Sequence, residues 1–316
     1  SCEKLLINSP LNNEASGIID ELWQQIDNNY LSFDENKIGW PEVRKKYLDL
    51  AGEVKTDDDL FKLCRDLLFE LKDPTLTLLV DNQRFAQYYD PSWKINFNIR
   101  NIEREYINPN KPIFISPSFR YCVLGSNNIG YVPLTASGNE RITDSQIAEM
   151  FENLKETKGI IFDLRGEQNH NSDRNANLYV RLINNPIDNG FIGFFEGKGK
   201  LKIIKSVNDG PRNPYYKGKI FLLTGNVSTL SKNRFLLSVK ELPNATSIGD
   251  TSFKGKSGRL IELMLSNGWK LYITHSFFMD NEKNSHFFGI KPDIPLPNTF
   301  KNGKDDLIEK AIELIK

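Results

Sequence analysis

Two nearly continuous apolar runs constrain the fold of this chain more than any other feature of its sequence. Residues 160–164 read Ile-Ile-Phe-Asp-Leu and residues 219–224 read Lys-Ile-Phe-Leu-Leu-Thr, and helical spacing is seen after each run. Runs of this length are typical of strands that are covered on both faces of a sheet. Strands that alternate with helices predict an α/β fold with a partly parallel sheet.

The first ninety residues show helical periodicity instead. Apolar residues recur at helical spacing over 18–30, Pro41 suits the first turn of a second helix, and Thr56 with Asp59 forms the cap signature of a third. Further strands are predicted at 113–115, 121–124, 129–134, 246–249, 260–265 and 270–274, and further helices at 143–156, 172–183, 231–241 and 305–315, with 90–128 otherwise irregular. We therefore expect a helical N-terminal subdomain at 1–90 and an α/β core at 91–316.

The charge composition argues against nucleic acid as a partner. The 316 residues include 41 basic and 41 acidic side chains, so the formal net charge is zero. A protein without a net positive field has no general attraction for nucleic acid or for an anionic membrane. No apolar run is long enough to span a bilayer, and no cofactor is predicted.

The three cysteines fall into two classes. Cys64 lies on the apolar face of a predicted helix and Cys122 in a strand-like run, so both are expected in the core. Cys2 follows Ser1 and precedes polar residues, as in a bacterial lipoprotein after removal of its signal peptide. That interpretation makes Cys2 an acylated anchor and places the protein in the cell envelope, as a periplasmic or outer-membrane lipoprotein of a bacterium. The alternative is that the sequence begins at an arbitrary residue.

Four stretches, in order, resemble the S41 peptidases, the family that includes tail-specific processing proteases and tricorn. They are 22–30 with Trp40 and the helix of 56–73, then 158–166 with Ser172-Asp173, then 219–224 with 242–251, and finally 267–269 with 289–294. Together they span most of the chain, and no inserted PDZ-like module is seen. The resemblance implies a ClpP/crotonase-like α/β peptidase core with a mixed sheet, joined to a small helical N-terminal subdomain.

The resemblance also implies where the site lies. Residues 163–166 read Asp-Leu-Arg-Gly at the carboxyl end of a buried strand, where active sites of α/β sheets form. We expect Asp163 and Arg165 to hydrogen-bond loop backbone there. The loop 224–231 has the same kind of position, and in the family it carries the nucleophile in front of a helix whose amides serve as an oxyanion hole.

The catalytic positions of the family carry other residues in this chain. Leu230 stands at the position of the nucleophilic serine and has no nucleophilic atom. Ser231 follows it and is expected to cap the helix. Thr75 stands at the position of the general-base histidine, after Pro74 in place of a glycine, and threonine cannot take a proton near neutral pH.

Two further elements of the site are altered. The family continues from Gly166 into a glycine-rich oxyanion run, whereas this chain has Glu167, Gln168 and Asn169 there, and the Glu167 carboxylate would oppose the developing negative charge. His286 replaces a glutamate that many tricorn-like members carry. The resulting hypothesis is a pseudopeptidase that binds an extended peptide or a protein partner in the ancestral groove, lined by Gly166–Asn169 and Leu230–Ser231.

Two alternatives remain open. One is an active serine endopeptidase that uses Ser231 as nucleophile and Lys256 as base, at about the separation seen in the serine–lysine dyads of the processing proteases. It requires a one-residue shift and a Lys256 pKa lowered by burial, and the simpler interpretation is a solvated glycine-rich turn. The other is a structural surface lipoprotein without a ligand. No metal is predicted, because the spacing of His170, His275 and His286 does not require one.

Overall fold

The computed structural model describes most of the chain, and several predicted site residues lie outside it. The described residues are 10–33, 37–81, 84–93, 97–106, 113–116, 119–124, 128–134, 142–166, 177–186, 188–197, 200–207, 210–226, 230–255, 258–297, 299–301 and 303–316. Cys2, Glu167, Gln168, Asn169, His170 and Lys256 lie outside them, and only the backbone of Leu230 and Ser231 is described.

The described residues form seven helices and fifteen strands. The helices are α1 (Pro10–Asn29), α2 (Trp40–Ala51), α3 (Asp57–Phe69), α4 (Ile99–Tyr106), α5 (Asp144–Leu154), α6 (Leu230–Lys240) and α7 (Asp306–Ile315). The strands are β1 (Thr77–Leu79), β2 (Phe85–Gln87), β3 (Ile113–Ser116), β4 (Phe119–Leu124), β5 (Ile129–Pro133), β6 (Gly159–Asp163), β7 (Asp188–Phe195), β8 (Leu201–Val207), β9 (Lys219–Thr224), β10 (Ala245–Gly249), β11 (Gly258–Met264), β12 (Lys270–Met279), β13 (Ile294–Pro295), β14 (Phe300–Lys301) and β15 (Lys304–Asp305).

Two compact units make up the described chain. The first unit comprises Ser1–Pro91, Gly193–Ile203 and Gly258–Phe277, and the second comprises Ser92–Ile192, Ile204–Ser257 and Phe278–Lys316. Strands β7, β8 and β12 contribute residues to both.

The first unit packs α1, α2 and α3 around one apolar core. Helix α3 begins where the sequence predicts: the Thr56 side chain accepts the Asp59 amide at 3.1 Å, and the Asp59 carboxylate accepts the Thr56 amide at 3.1 Å. This capping box satisfies two amides that would otherwise have no partner. The core continues into β12, which pairs with β1 through Leu78 and Leu271 and with β11 on its other side.

The second unit is built on a mixed seven-stranded sheet, in the order β13-β10-β9-β6-β5-β4-β3. The neighbours from β5 to β13 are parallel, whereas β3, β4 and β5 pair in antiparallel fashion. All five residues of β6 are buried, as its apolar run predicts. The predicted α/β fold with a mixed sheet is therefore confirmed.

Helices cover both faces of this sheet. Ile160 and Phe162 of β6 pack in a core that includes residues of α5 and α6, while Ile161 packs in another that includes residues of α4 and α7. Alternate residues of one strand thus reach opposite layers. The two cysteines expected in the core, Cys64 and Cys122, are free thiols there, and burial raises the pKa of both to about 12.

Some local predictions were wrong. Residues 90–128 include the eight-residue helix α4, in which Ile99, Ile102 and Tyr106 recur at helical spacing and Ile102 is fully buried. The helix predicted at 172–183 is described only from residue 177; residues 177–179 are helical and 180–183 are not. Its apolar spacing instead reflects burial of that loop in the core. Strands β7 and β8 were not predicted, and β12 runs past its expected end at Thr274, so that His275 lies inside it.

None of the helices within the described ranges has the length and apolarity that crossing a bilayer requires.

Candidate functional site at the end of β6 and the start of α6

The carboxyl end of β6 is held by a buried charged network. The Arg165 guanidinium donates from Nε to Asp163 Oδ1 at 2.9 Å and from a terminal nitrogen to Asp163 Oδ2 at 2.7 Å. Its other terminal nitrogen donates to both carboxylate oxygens of Asp305, at 3.0 and 2.8 Å. Tyr131 adds a hydrogen bond to Asp163 Oδ2 at 2.8 Å. The network fixes the backbone that leads to Gly166.

The predicted roles of Asp163 and Arg165 hold in part. Asp163 Oδ1 accepts the backbone amide of Arg165 at 3.0 Å, so this carboxylate does bind loop backbone as expected. The Arg165 guanidinium instead pairs with carboxylates, and the second of them, Asp305, caps helix α7 by accepting the amides of Leu307 and Ile308 at 3.1 Å each. Burial raises the pKa of Asp305, an effect that the nearby Arg165 opposes. These groups are fully buried and have a structural role.

Leu230 and Ser231 are the first two residues of helix α6, which follows the loop after β9. Helix starts present backbone amides without intrahelical partners, and the helix dipole makes them attractive to anions. An α/β enzyme of this type uses such amides near its nucleophile. The helix thus begins one residue before the predicted start, so Ser231 is its second residue and not the cap that the sequence predicts.

The third residue of α6 is a buried lysine. Lys232 is 0% exposed, and its ammonium donates to the carbonyl oxygen of Leu164 at 3.3 Å and to that of Gly166 in a shorter contact. A lysine buried this completely needs hydrogen bonds to offset the loss of its hydration. Lys232 thus joins the start of α6 to the segment after β6, and brings Gly166 and the Leu230–Ser231 backbone into one site.

A second contact ties α6 to the Phe253–Gly258 turn. Asn233 is buried and donates from Nδ2 to the carbonyl oxygen of Phe253 at 2.9 Å. Phe253 packs on Trp93 with ring centroids 5.2 Å apart. The Lys254 ammonium lies 5.1 Å from the centre of the Phe287 ring and 5.4 Å from that of the exposed Phe288 ring. The aromatic faces attract the positive charge of the ammonium. The described part of this turn therefore lies beside the start of α6.

His286 lies in a turn of its own. Its Nε2 is 2.6 Å from Asp280 Oδ2, and it adopts a left-handed backbone conformation with φ +50°. The pKa of Asp280 is lowered, because hydrogen bonds from Asn284 and His286 outweigh the effect of burial. The next residue, Phe287, is buried, and its carbonyl oxygen accepts the Gly255 amide at 2.6 Å. His286 is thus engaged with Asp280.

Thr75 belongs to the first unit, where its polar groups are engaged. Its hydroxyl donates to Asp73 Oδ1 at 2.7 Å, and its amide donates to the same oxygen at 2.8 Å. The Thr274 hydroxyl donates to Thr75 Oγ1 at 3.3 Å, and Tyr30 donates to the other Asp73 oxygen at 2.9 Å. Thr75 and Asp73 are both buried. The position that the resemblance assigns to the base is therefore part of a static hydrogen-bond network.

Lys232 is the residue of this site that sequence reasoning missed, although a signal was present. It precedes Phe235, Leu236 and Val239 by three, four and seven positions, which places it on the apolar face of the helix. A lysine on that face predicts either a buried ammonium or a broken helix. Only the structure shows which carbonyl oxygens it binds.

Family models match most of the chain. The model of peptidase family S41 matches residues 128–296, and that of the tricorn protease C1 domain matches residues 11–69. No curated protein has a sequence significantly similar to this one.

Solved structures share the fold. A candidate peptidase from Parabacteroides merdae ATCC 43184 is 24% identical, with 95% of this chain and 96% of that chain covered and a TM-score of 0.83. The photosystem II D1 C-terminal processing protease is 15% identical, with 89% and 92% covered and a TM-score of 0.50. A lipoprotein from Streptococcus agalactiae is 14% identical, with 99% of both chains covered and a TM-score of 0.52. At these identities the structures support the fold, while the first family model covers more than half of the chain. This chain belongs to peptidase family S41.

Proposed function

We propose that this S41 homologue is a pseudopeptidase that binds an extended peptide or protein segment beside the start of α6. The observation that carries the proposal is the first residue of that helix. It is Leu230, which the resemblance assigns to the position of the nucleophilic serine. Leucine offers no atom that could attack a carbonyl carbon, so covalent catalysis has no nucleophile there.

The base position supports the same proposal. A general base must accept a proton from the nucleophile at a pH near its own pKa. The Thr75 hydroxyl does not titrate near neutral pH, and its single proton is already donated to Asp73. The network with Thr274 also fixes this hydroxyl within the first unit.

The described end of β6 presents backbone acceptors to α6. Hydrolysis of an amide requires N–H groups that point at the developing oxyanion. The described backbone groups that meet α6 here are the carbonyl oxygens of Leu164 and Gly166, and Lys232 occupies both. The Lys232 ammonium is fully buried and donates its hydrogen bonds to these carbonyl oxygens.

Peptide binding does not need a nucleophile. An extended peptide gains affinity from backbone hydrogen bonds and from pockets for alternate side chains. The start of α6 favours an anionic group such as a terminal carboxylate, and Lys254 adds positive charge at the neighbouring turn. Leu230 makes the site more apolar, which favours a hydrophobic side chain at the former scissile position.

Activity is tested with casein as an unfolded substrate and with a fluorophosphonate probe for reactive serines. We expect neither hydrolysis nor labelling by the wild-type protein. The matched control is Ser231→Ala, which removes the hydroxyl of the residue that follows Leu230. Labelling of the wild type that vanishes in Ser231→Ala would overturn the proposal and establish the serine peptidase with Ser231 as nucleophile.

Binding is tested with a library of peptides that carry free C-terminal carboxylates. We expect saturable binding by the wild type and about tenfold weaker binding by Leu230→Asp, because a carboxylate there repels the peptide terminus and removes an apolar contact. The control is Leu50→Asp, at a 37% exposed leucine of α2, which should bind like the wild type. Binding that is equal in Leu230→Asp and wild type would exclude this site.

We also propose a cell-envelope location with Cys2 as the lipid attachment. The fold-level similarity to a lipoprotein from Streptococcus agalactiae supports it. Cys64 and Cys122 are both buried, with raised thiol pKa values, so neither competes with Cys2 for modification.

A further inference from the structure

The first unit contains a cavity of about 260 Å³ between the start of α1, the start of α3 and the turn that joins β11 to β12. Its floor includes the buried side chains of Ala15, Ile18, Leu60 and Trp269. Carboxylates of Glu14 and Asp57, both exposed residues, lie at its rim. The proposed peptidase-like groove makes no use of any of these residues.

Local geometry explains why Trp269 lines this cavity. The β11–β12 hairpin turns through Asn267 and Gly268. Gly268 adopts φ +85°, a backbone conformation that residues with a side chain rarely adopt. Asn267 Oδ1 accepts the Trp269 amide at 3.2 Å and fixes the turn. Trp269 also packs edge-on against Phe61 of α3, with ring centroids 6.3 Å apart. The indole is thus held in place by the hairpin and by the helix.

Three polar groups of the cavity lack protein partners, unlike their neighbours. Asp58 pairs with Arg84 at 2.6 Å and Asp59 is used by the helix cap. Within the described part of the chain, Glu14 and Asp57 make no ion pair or hydrogen bond through their carboxylates, and the Trp269 indole N–H has no acceptor although the residue is only 8% exposed. Trp269 Nε1 is not one of the fully buried groups without a partner, so a ligand can reach this N–H.

We propose that this cavity binds the lysine side chain of a peptide or protein segment. The aliphatic stem of a lysine suits the floor of Ile18 and Leu60. Its ammonium pairs with the two rim carboxylates, which offset the partial positive charge at the starts of α1 and α3. A carbonyl oxygen of the same segment would accept the Trp269 indole N–H. The volume lies below the roughly 300–1,000 Å³ of drug-sized ligand sites, which favours one side chain over a larger molecule.

The test uses fluorine NMR of protein labelled with 5-fluorotryptophan. The chain has four tryptophans, and Trp269→Phe identifies the Trp269 signal by its loss. The probe is the capped tripeptide Ala-Lys-Ala, compared with the same tripeptide carrying norleucine or acetyl-lysine. We expect the lysine peptide to shift the Trp269 signal saturably, and the two uncharged peptides to bind roughly three- to tenfold more weakly.

Variants that neutralise the rim complete the experiment. Glu14→Gln and Asp57→Asn, singly and together, should weaken binding of the lysine peptide, with a roughly three- to tenfold loss in the double variant. Asp49→Asn, at an exposed carboxylate that pairs with Lys45 on α2, should bind like the wild type. Thermal unfolding verifies that each variant is folded. An unmoved Trp269 signal, equal binding of the norleucine peptide, or unchanged binding in both single variants would overturn the proposal.

Discussion

Lys232 places a positive charge inside the protein, between the start of α6 and the end of β6. Its ammonium is fully buried beneath the start of α6, against the carbonyl oxygens of Leu164 and Gly166. Burying a charge is costly unless it is hydrogen-bonded, so these carbonyls stabilise the lysine as much as the lysine stabilises them. The segment after β6 is therefore organised around a positive charge inside the protein.

Lys232→Met is expected to lower the free energy of unfolding by about 1–3 kcal/mol, because two buried carbonyl oxygens lose their donor. Removal of the buried charge recovers some desolvation energy, but the unsatisfied acceptors outweigh it. Denaturant unfolding measures the change. Lys45→Met, at a lysine whose side chain is 81% exposed, is the control and should stay within about 0.5 kcal/mol of wild type. A Lys232→Met protein as stable as wild type would contradict this account.

Asp293 gives a pH-dependent prediction. Its carboxylate accepts the Ser247 amide at 2.8 Å and the Ser247 hydroxyl at 2.7 Å, and it pairs with Lys240. Burial alone would raise its pKa, but these donors outweigh burial and the pKa lies below the ordinary value. A lowered pKa stabilises the folded state above the unfolded pKa of about 3.9, and this stabilisation is lost as the pH falls through the folded value.

Asp293→Asn should therefore be less stable than wild type at pH 7, by about 1 kcal/mol since the carboxylate is partly exposed. The difference should shrink below about pH 4. Thermal unfolding from pH 3 to pH 7 measures it, with Asp49→Asn as a surface control. A stability difference that is constant across this range would show that the carboxylate charge contributes nothing.

At the scale of elements, the turn after α3 carries Thr75, the residue that the resemblance assigns to the base position. Asp73 accepts the amide of Thr75 two residues later, which closes an Asx turn and directs the chain from α3 into β1. Gln87 of β2 donates to the carbonyl oxygen of Pro74 at 2.6 Å and holds the same turn. These two hydrogen bonds stabilise the turn that connects α3 to β1.

Thr75→Val keeps the shape of the side chain but removes its hydroxyl. We expect a loss of about 1–2 kcal/mol in the free energy of unfolding, because Asp73 loses a donor and the Thr274 hydroxyl loses its acceptor. Thr75→Ser retains the hydroxyl and is the matched control. Equal destabilisation by both substitutions would assign the effect to packing of the methyl group and not to the network.

The Arg165 network joins β6 to helix α7. Arg165→Met leaves the carboxylates of Asp163 and Asp305 buried without a cation, and we expect a loss of about 3–5 kcal/mol. Adding Asp305→Asn removes one of these charges, so the double variant should lose less than the sum of the two single losses. Denaturant unfolding of all three variants completes the cycle. Strict additivity would show that Arg165 and Asp305 act independently.

At the scale of the whole molecule, the first unit combines three segments that lie far apart in the sequence. Its core includes residues of α1 to α3 together with Leu271 and Ile273 of β12. The second unit likewise combines three segments around its mixed sheet. Anchoring is a property of the whole protein, because a lipid at Cys2 would attach both units to a membrane.

The native protein is expected to partition into the detergent phase, and Cys2→Ser should transfer it to the aqueous phase. Detergent phase separation followed by mass spectrometry of the N-terminal peptide measures both the location and the modification. Cys122→Ser, at a buried thiol, is the control and should partition like the native protein. Native protein recovered in the aqueous phase with an unmodified Cys2 would exclude the anchor.

Local patterns in the sequence were sufficient for the α/β class, for the cap of α3, and for the burial of Cys64 and Cys122. Each of these depends on residues only a few positions apart, where periodicity and capping act directly. The sequence resemblance also assigns Leu230 and Thr75 to the family's catalytic positions. Their assignment to a non-catalytic role stays a prediction until activity is measured.

Only the tertiary structure decided which distant groups meet. The partners of Lys232 lie 66 and 68 positions away in the sequence. Asp305, the partner of Arg165 that caps helix α7, lies 140 positions away. Helix α4 escaped prediction because it is only eight residues long, and strands β7 and β8 because their apolar patterns are interrupted. A buried charge or a half-buried strand is stable only with a partner from elsewhere in the chain, and no pattern of neighbouring residues specifies that partner.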